Sequence, residues 1–227
     1  MESPAPKSSG HEMIHLLDEK LEEYAEACST PTDELLRECA RFTLKNVAMP
    51  QMLVGPLEGQ LLSWLVRLIQ ASYVVEIGTF TGYSALWMVS ALPRDGTLVT
   101  CEVNPEHARI ARGFFQRSPH ASRIQLLEGP ALRSLESLQG GIDFAFIDAD
   151  KENYRNYVDV LKAKMSPGGV LAVDNVLWSG RVLEPRDQQD DLTRAIVDFN
   201  TSIRRDSSLR KLMLPLRDGL TLLQLKD

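Results

Sequence analysis

Cysteine is scarce in this chain. There are three in 227 residues, Cys28, Cys39 and Cys101, an odd count with no Cys-x-x-Cys pair. That argues against a disulfide scaffold and fits a reducing compartment. No apolar run reaches the roughly 18 residues of a membrane span. Residues 1–10 lack the apolar core of a secretory signal, so the expectation is a cytoplasmic protein with no membrane partner. An excess of basic charge is also missing. Lys and Arg total 25 against 31 Asp and Glu, for a net charge of −6. Such a chain has no long-range attraction to phosphate backbones, so nucleic acid is not an expected partner. Arg204-Arg205 and Arg210-Lys211 read as solvated helix ends. Finally, no Gly-x-Gly-x-x-Gly follows a predicted strand, which removes the pyrophosphate fingerprint of a dinucleotide dehydrogenase.

What is present suffices for a globular domain. Hydrophobic residues make up 44% and charged residues 25%, and the length suits one domain. Residues 1–10 are Pro/Ser-rich and expected to be disordered. Residues 11–227 are expected to form a single domain, helical over 11–71 and sheet-based over 72–227. A helix with a mostly charged face is expected over 11–28. Thr30-Pro31-Thr32-Asp33 predicts the start of the next: a hydroxyl cap, proline at the first helical position and an acid in the first turn. After a break near Met49-Pro50, Leu61, Leu62, Leu65, Leu68 and Ile69 recur at helical spacing.

From Tyr73 onward, strands near 73–77, 97–102, 123–128, 142–148 and 169–174 alternate with helices near 82–91, 105–117, 130–138, 152–165 and 190–206. Ser166-Pro167-Gly168-Gly169 reads as the stop of the fourth helix. The alternation predicts parallel strands with helices on both faces. Residues 215–218 are too few for a helical crossover, so strands at 209–214 and 219–225 should pair antiparallel at one edge. The fold class is α/β: a Rossmann-like, doubly wound seven-stranded sheet, mostly parallel with an antiparallel edge hairpin, plus N-terminal helices.

Residues 73–84 carry the most functional information. Tyr73-Val74-Val75-Glu76-Ile77 reads as a buried strand, and Gly78 and Gly82 let the following turn approach a ligand. In such sheets ligands sit beyond the carboxyl ends of the strands, where strand order reverses. Glu102 closes the second strand, 24 positions after Gly78. A carboxylate there accepts from both ribose hydroxyls and repels a phosphate. Glu76 beside the turn favours an amine or sulfonium over an anion. Glycines after a strand are often only turn residues; with Glu102 they read as a pocket for a cationic cofactor without phosphate.

Asp148 and, 26 residues later, Asp174 with Asn175 close the fourth and fifth strands. One helix and one strand lie between, so the strands should be neighbours and the side chains should meet. Either acid alone would read as a turn cap. Together their repulsion is relieved by a divalent cation, and all-oxygen ligands suit Mg²⁺, with Mn²⁺ or Ca²⁺ as alternatives. Lys151 would ordinarily be a solvated lysine, but beside a cation its ammonium form is disfavoured and it becomes a possible base. Asp150 either caps a helix or faces the cofactor amine. Trp178, followed by Ser179-Gly180, either walls an aromatic substrate or packs on the sheet edge. His107 and His120 lie off these motifs and read as surface groups. His11-Glu12-Met13-Ile14-His15 matches the zinc-protease pattern, but nothing around it would build a cleft, and a surface helix face is the better reading.

These segments resemble the cation-dependent, S-adenosylmethionine-dependent O-methyltransferases of the caffeoyl-CoA and catechol type. The likeness runs from about Met49 to the C-terminus. It rests on Val54-Gly55-Pro56 with Gly59-Gln60-Leu61-Leu62, on Glu76 to Ser84, on Phe146 to Tyr154, on Asp174 to Gly180 and on Leu214 to Thr221. It implies that Asp148, Asp174 and Asn175 hold the metal. It implies an S-adenosylmethionine site lined by Met52, Val54, Glu76, Gly78, Ser84, Glu102, Ala131, Asp148 and Asp150. Lys151 falls at the proton acceptor of the catechol enzymes, with Asp148 beside it in the catalytic set, and Trp178 and Ser179 fall on the acceptor side. It further implies a homodimer acting on a small phenolic substrate. Plant caffeoyl-CoA enzymes usually carry Thr where this chain has Val54. A valine cannot help coordinate an ion and matches the catechol enzymes, which weighs against a CoA-thioester acceptor. The competing reading is a methyltransferase-fold binding protein with little or no turnover.

Overall fold

The seven strands are β1 (Tyr73–Ile77), β2 (Thr97–Glu102), β3 (Ile124–Glu128), β4 (Ile142–Ile147), β5 (Met165–Val173), β6 (Leu209–Leu214) and β7 (Leu220–Leu225). They lie in the order β3-β2-β1-β4-β5-β7-β6 in a computed structural model that describes residues 19–226. Strands β1 to β5 are parallel; β7 runs antiparallel to both β5 and β6. The mostly parallel sheet with an antiparallel edge pair is therefore as the sequence pattern predicts. The helices are α1 (Glu19–Ala27), α2 (Glu34–Asn46), α3 (Pro56–Leu68), α4 (Tyr83–Ala91), α5 (Pro105–Arg117), α6 (Ala131–Ser137), α7 (Tyr154–Lys162) and α8 (Asp191–Arg205). The His-Glu-x-x-His segment and the disorder expected over 1–10 lie outside the described residues, as does most of the first half of the helix expected over 11–28. Among the described residues no helix is long and apolar enough to cross a membrane.

Period-two alternation splits the core into two layers. Val74, Phe144, Phe146 and Ala172 face α2 to α5, against Leu36, Leu62, Leu86 and Phe114. Val75, Ile77, Ala145, Ile147 and Val173 face the other way, against Leu135 of α6, Val158 of α7 and Ile196 of α8. Strands covered on both faces need apolar side chains at nearly every position, which is why β1 and β4 are apolar apart from Glu76 and Asp143.

Two local expectations are corrected. The helix cap is Asp33, not Thr30: its carboxylate accepts from the Leu36 N–H at 2.9 Å, and Pro31 precedes the helix. An ionised acid three residues before a free N–H satisfies that donor at the positive helix end. Second, Ser166-Pro167-Gly168-Gly169 does not stop α7, which ends at Lys162. It lies inside β5 as a bulge: Ile142 pairs with Met165, and the next pair is Phe144 with Val170. Pro167 has no N–H for the ladder and Gly168 takes φ +79°, so this stretch leaves the sheet plane and rejoins it.

Candidate active site

The chain leaves β1 toward β2 and β3, then returns to place β4 on the other side of β1. That reversal opens a crevice beyond the carboxyl ends of β1 and β4. Gly78 makes the crevice possible. It sits at φ +97°, and a Cβ built on it would stand 1.8 Å from the Asp148 carbonyl oxygen. Gly82, at φ +92°, caps α4 where a Cβ would meet the Phe115 ring at 2.6 Å.

Two cavities of about 540 Å³ each occupy the crevice, and Met52, Asp148 and Ala149 line both. The first is walled by Gly78, Phe80, Glu102, Ala131 and Asp150. Glu102 is aimed by the backbone: Oε2 accepts from Phe80 N at 2.7 Å and Oε1 from Asn104 N at 2.8 Å. Two of its roughly four lone-pair sites are thereby used, which leaves acceptor capacity for a ligand in the cavity that Glu102 lines. Asp150 is held by Tyr157, whose hydroxyl donates to Oδ1 at 2.5 Å, and by the Asn153 amide.

Glu76 and Ser84 are not on this wall. Glu76 is fully buried behind it and accepts from Ser84 Oγ at 2.6 Å and from Thr100 Oγ1 at 2.5 Å. Burial outweighs those hydrogen bonds and lifts the Glu76 carboxyl to about 8. At neutral pH it is mostly a neutral acid, so the attraction to a cation expected of it is largely absent.

The second cavity gathers Val54, Asp148, Lys151, Asp174, Asn175, Trp178 and Ser179. Asp174 N continues the sheet ladder by donating to Ile147 O at 3.0 Å, and Asp148 N donates to Ile77 O at 2.9 Å. The two acids therefore leave adjacent strand ends side by side. The Lys151 ammonium lies 3.1 Å from Asp148 Oδ1 and 2.6 Å from Asn175 Oδ1, and 2.6 Å from the Tyr154 hydroxyl. The Asp148 and Asn175 oxygens thus converge on one cationic centre. Asp174 turns Oδ1 to Asn175 N and Oδ2 to Asn175 Nδ2. Burial, and then the Asp148 charge, lifts Asp174 to about 7.

Three groups here escaped the sequence reading. Glu58, on α3, is buried with its carboxyl hydrogen-bonded to that of Asp174; burial, then the Asp174 charge, pushes it well above the carboxylate range. No hydrogen-bond partner reaches its Oε1. Asp218 accepts from Ser179 N and so fixes the Trp178–Leu183 3-10 segment. His107 is not a surface group: it lines the first cavity, edge-on to Phe80 at 4.8 Å between ring centroids, with Nδ1 3.9 Å from Glu102 Oε1. Its place one turn into a helix that starts just after Glu102 was the available signal. Glu58 had none, because α3 is remote in sequence from both strand ends.

The donor set tests whether a cation suits the site. Among the described residues no group of three or more His, Cys, Asp or Glu side chains assembles as a metal centre. The set is two carboxylates and an amide, with Glu58, whose Oε1 has no partner, lining the same cavity. The Asp148 charge helps raise the proton affinity of Asp174, and oxygens crowded in this way fit a hard divalent ion.

A family model described as O-methyltransferase matches residues 26–226. The catechol O-methyltransferase domain-containing protein 1 of Mus musculus is 38% identical over 210 residues, covering 90% of this chain and 79% of that protein. Caffeoyl-CoA O-methyltransferase 1 of Eucalyptus globulus is 36% identical over 224 residues, covering 94% and 91%. Among solved structures, the O-methyltransferase TomG of Streptomyces achromogenes in complex with SAM (S-adenosylmethionine) superposes with a TM-score of 0.84 at 30% identity, covering 92% of this chain and 96% of that one. The O-methyltransferase of Bacillus cereus in complex with SAH superposes at 0.83 with 29% identity, covering 91% and 97%. Fold and cavity define a class I, S-adenosylmethionine-dependent methyltransferase. The chain belongs to the O-methyltransferase family.

Proposed function

We propose that this enzyme methylates a hydroxyl of a small catechol-like or vicinal-diphenol acceptor, with a divalent cation, Mg²⁺ foremost, held by Asp148, Asp174 and Asn175. The observation that carries this reading is the meeting of the two cavities at Met52, Asp148 and Ala149. One has a carboxylate set for a ribose; the other has converging oxygens and an amine. When bound, the cation supplies Lewis-acid stabilisation of charge on the acceptor oxygens.

The protein's own groups do the rest. Glu102 holds the ribose and so fixes the sulfonium methyl against Met52. Trp178 walls the acceptor ring, and Lys151 Nζ lies 5.8 Å from the centre of that indole. Lys151, held by the Tyr154 hydroxyl, is the group placed to take the acceptor proton. The acceptor oxygen then bonds the methyl carbon as the carbon–sulfur bond breaks, leaving S-adenosylhomocysteine. Val54, which offers no oxygen, favours a free diphenol over a CoA thioester.

The test is methyl transfer to a panel of vicinal diphenols and a caffeoyl thioester, with Mg²⁺ or with a chelator. Turnover on free diphenols should vanish with chelator and return with Mg²⁺. Equal turnover in both conditions overturns the metal role.

A further inference from the structure

A third cavity, of about 330 Å³, lies between α8 and the β6–β7 hairpin and shares no lining residue with the other two. Its walls include Val182, Val197, Ile203 and Met213. Two of its lining residues, Asn200 and Thr221, each carry a buried polar atom with no partner in the protein, Asn200 Oδ1 and Thr221 Oγ1. Thr221 is 3% exposed and sits on β7, paired with Met213 on one side and Val173 on the other. Buried polar groups left without partners are costly, and native proteins rarely keep them without a use.

The orientation of Asn200 is set by chemistry. Its Nδ2 donates to the Val176 carbonyl at 2.7 Å; a flipped amide would set oxygen against oxygen. The free Oδ1 is therefore an acceptor, and the site demands a donor. Thr221 Oγ1 can donate back to the same ligand oxygen. The rim is cationic: Arg204 lines it, and Lys211, whose Nζ caps the C-terminal carbonyls of α8 at Ile203, Arg204 and Asp206, lies beside it. That disfavours an amine.

We infer that this cavity is a second small-molecule site, taking an uncharged ring-sized phenol or alcohol whose O–H donates to Asn200 Oδ1 and whose ring lies among Val182, Val197, Ile203 and Met213. The site is connected to the acceptor cleft on two sides. Asn200 holds the carbonyl that follows Asn175, and Val182 belongs to the Trp178–Leu183 segment that begins in the cleft. The inference goes beyond the proposed reaction and stands without it.

Methionine methyl NMR separates the cavities, because Met213 lines this one and Met49 and Met52 line the acceptor cleft. Full-length protein carrying ¹³C-methyl methionine is titrated with p-cresol and, separately, with toluene. The Met213 signal should shift saturably with p-cresol and bind toluene roughly three- to tenfold more weakly, the worth of one hydrogen bond. Thr221→Val should lose part of the p-cresol preference, and Val197→Phe should abolish the Met213 response while sparing Met49 and Met52. Absence of a saturable Met213 shift, equal affinity for toluene, or a Met213 shift tracking Met49 and Met52 at one Kd would each overturn the assignment. The probe pair needs no variant, so a misfolded Val197→Phe leaves the test intact.

Discussion

Replacing Glu76 by glutamine should stabilise this protein, and by an amount that depends on pH. Glu76 is fully buried, and its carboxyl sits at about 8 in the folded chain against an ordinary value of 4.5. The unfolded chain therefore releases the proton first. Between those two values the unfolded state binds fewer protons than the native state, so stability falls as pH rises. The loss begins near the unfolded value, grows by about 1.4 kcal/mol per pH unit, and levels off above the folded value. At pH 7 it amounts to about 3 kcal/mol, a large part of a typical domain's stability. Glutamine removes the titration and keeps the contacts, because one of the Ser84 and Thr100 hydroxyls goes on donating to the amide oxygen while the other turns to accept from the amide N–H. Asp174 and Glu58 are raised in the same sense, but they persist in both proteins and cancel in the difference. Urea denaturation of both proteins at several pH values measures the gap. It should be near zero at pH 4 and open steadily toward pH 7. A gap that is constant across that range refutes the buried-acid reasoning.

Three further outcomes follow from the same geometry. Glu102→Gln weakens the charge-assisted bonds to the ribose and should raise the Kd for S-adenosylhomocysteine about ten- to hundredfold by calorimetry; a change under about threefold would place the ribose elsewhere. Lys151→Met should lower turnover by about 10²- to 10⁴-fold with cofactor affinity intact, and undiminished turnover removes its role as base. Gly78→Ala forces a Cβ into the Asp148 carbonyl at φ +97° and should destabilise the fold by more than about 1 kcal/mol in urea. A wild-type midpoint there would mean that the two strand ends are not closely apposed.

The sheet was legible because its code is local and repeated. Apolar runs bounded by Gly, Pro and Asn mark buried parallel strands, and Asn104-Pro105 announces α5, with the Asn104 side chain accepting from Glu106 N at 2.9 Å as a cap does. The meeting of Asp148 with Asp174 was legible because consecutive crossovers put β4 beside β5. The bulge at 166–169 was not, since a Pro-Gly-Gly run signals a break without saying whether the chain breaks from a helix or from a strand. The position of Glu76 was misjudged for another reason. Side-chain parity places it on the α2–α5 face with Val74, but its depth depends on Thr100 of β2 and Ser84 of α4 closing over it, and both are tertiary contacts. Glu58 is the furthest from sequence, because an acid in the first turn of a helix ordinarily reads as a solvated partner of the helix dipole.

Backbone strain joins these observations to function. Among the described residues seven non-glycine residues have positive φ, and six of them line the two cavities of the crevice: Met49, Phe80, Asn175, Trp178, Ser179 and Arg217. Such a conformation costs of order 1–3 kcal/mol per residue and persists only where surrounding structure over-determines it. Here the determining contacts are visible. Phe80 is pinned by its N–H on Glu102, and Ser179 by its N–H on Asp218. The stretch after Asn175 is clamped to the β6–β7 turn by Val176 N on Gly219 O and Leu177 N on Asp218 O. The Glu102 clamp joins the end of β2 to the cavity wall at Phe80, and the Asp218 clamp joins the β6–β7 turn to it at Ser179. The strain therefore sits where the cofactor and acceptor must be oriented, and the rigid sheet beneath carries it. Trp, Phe and Arg have no propensity for left-handed backbone, so no local pattern announces the strain at Phe80, Trp178 and Arg217.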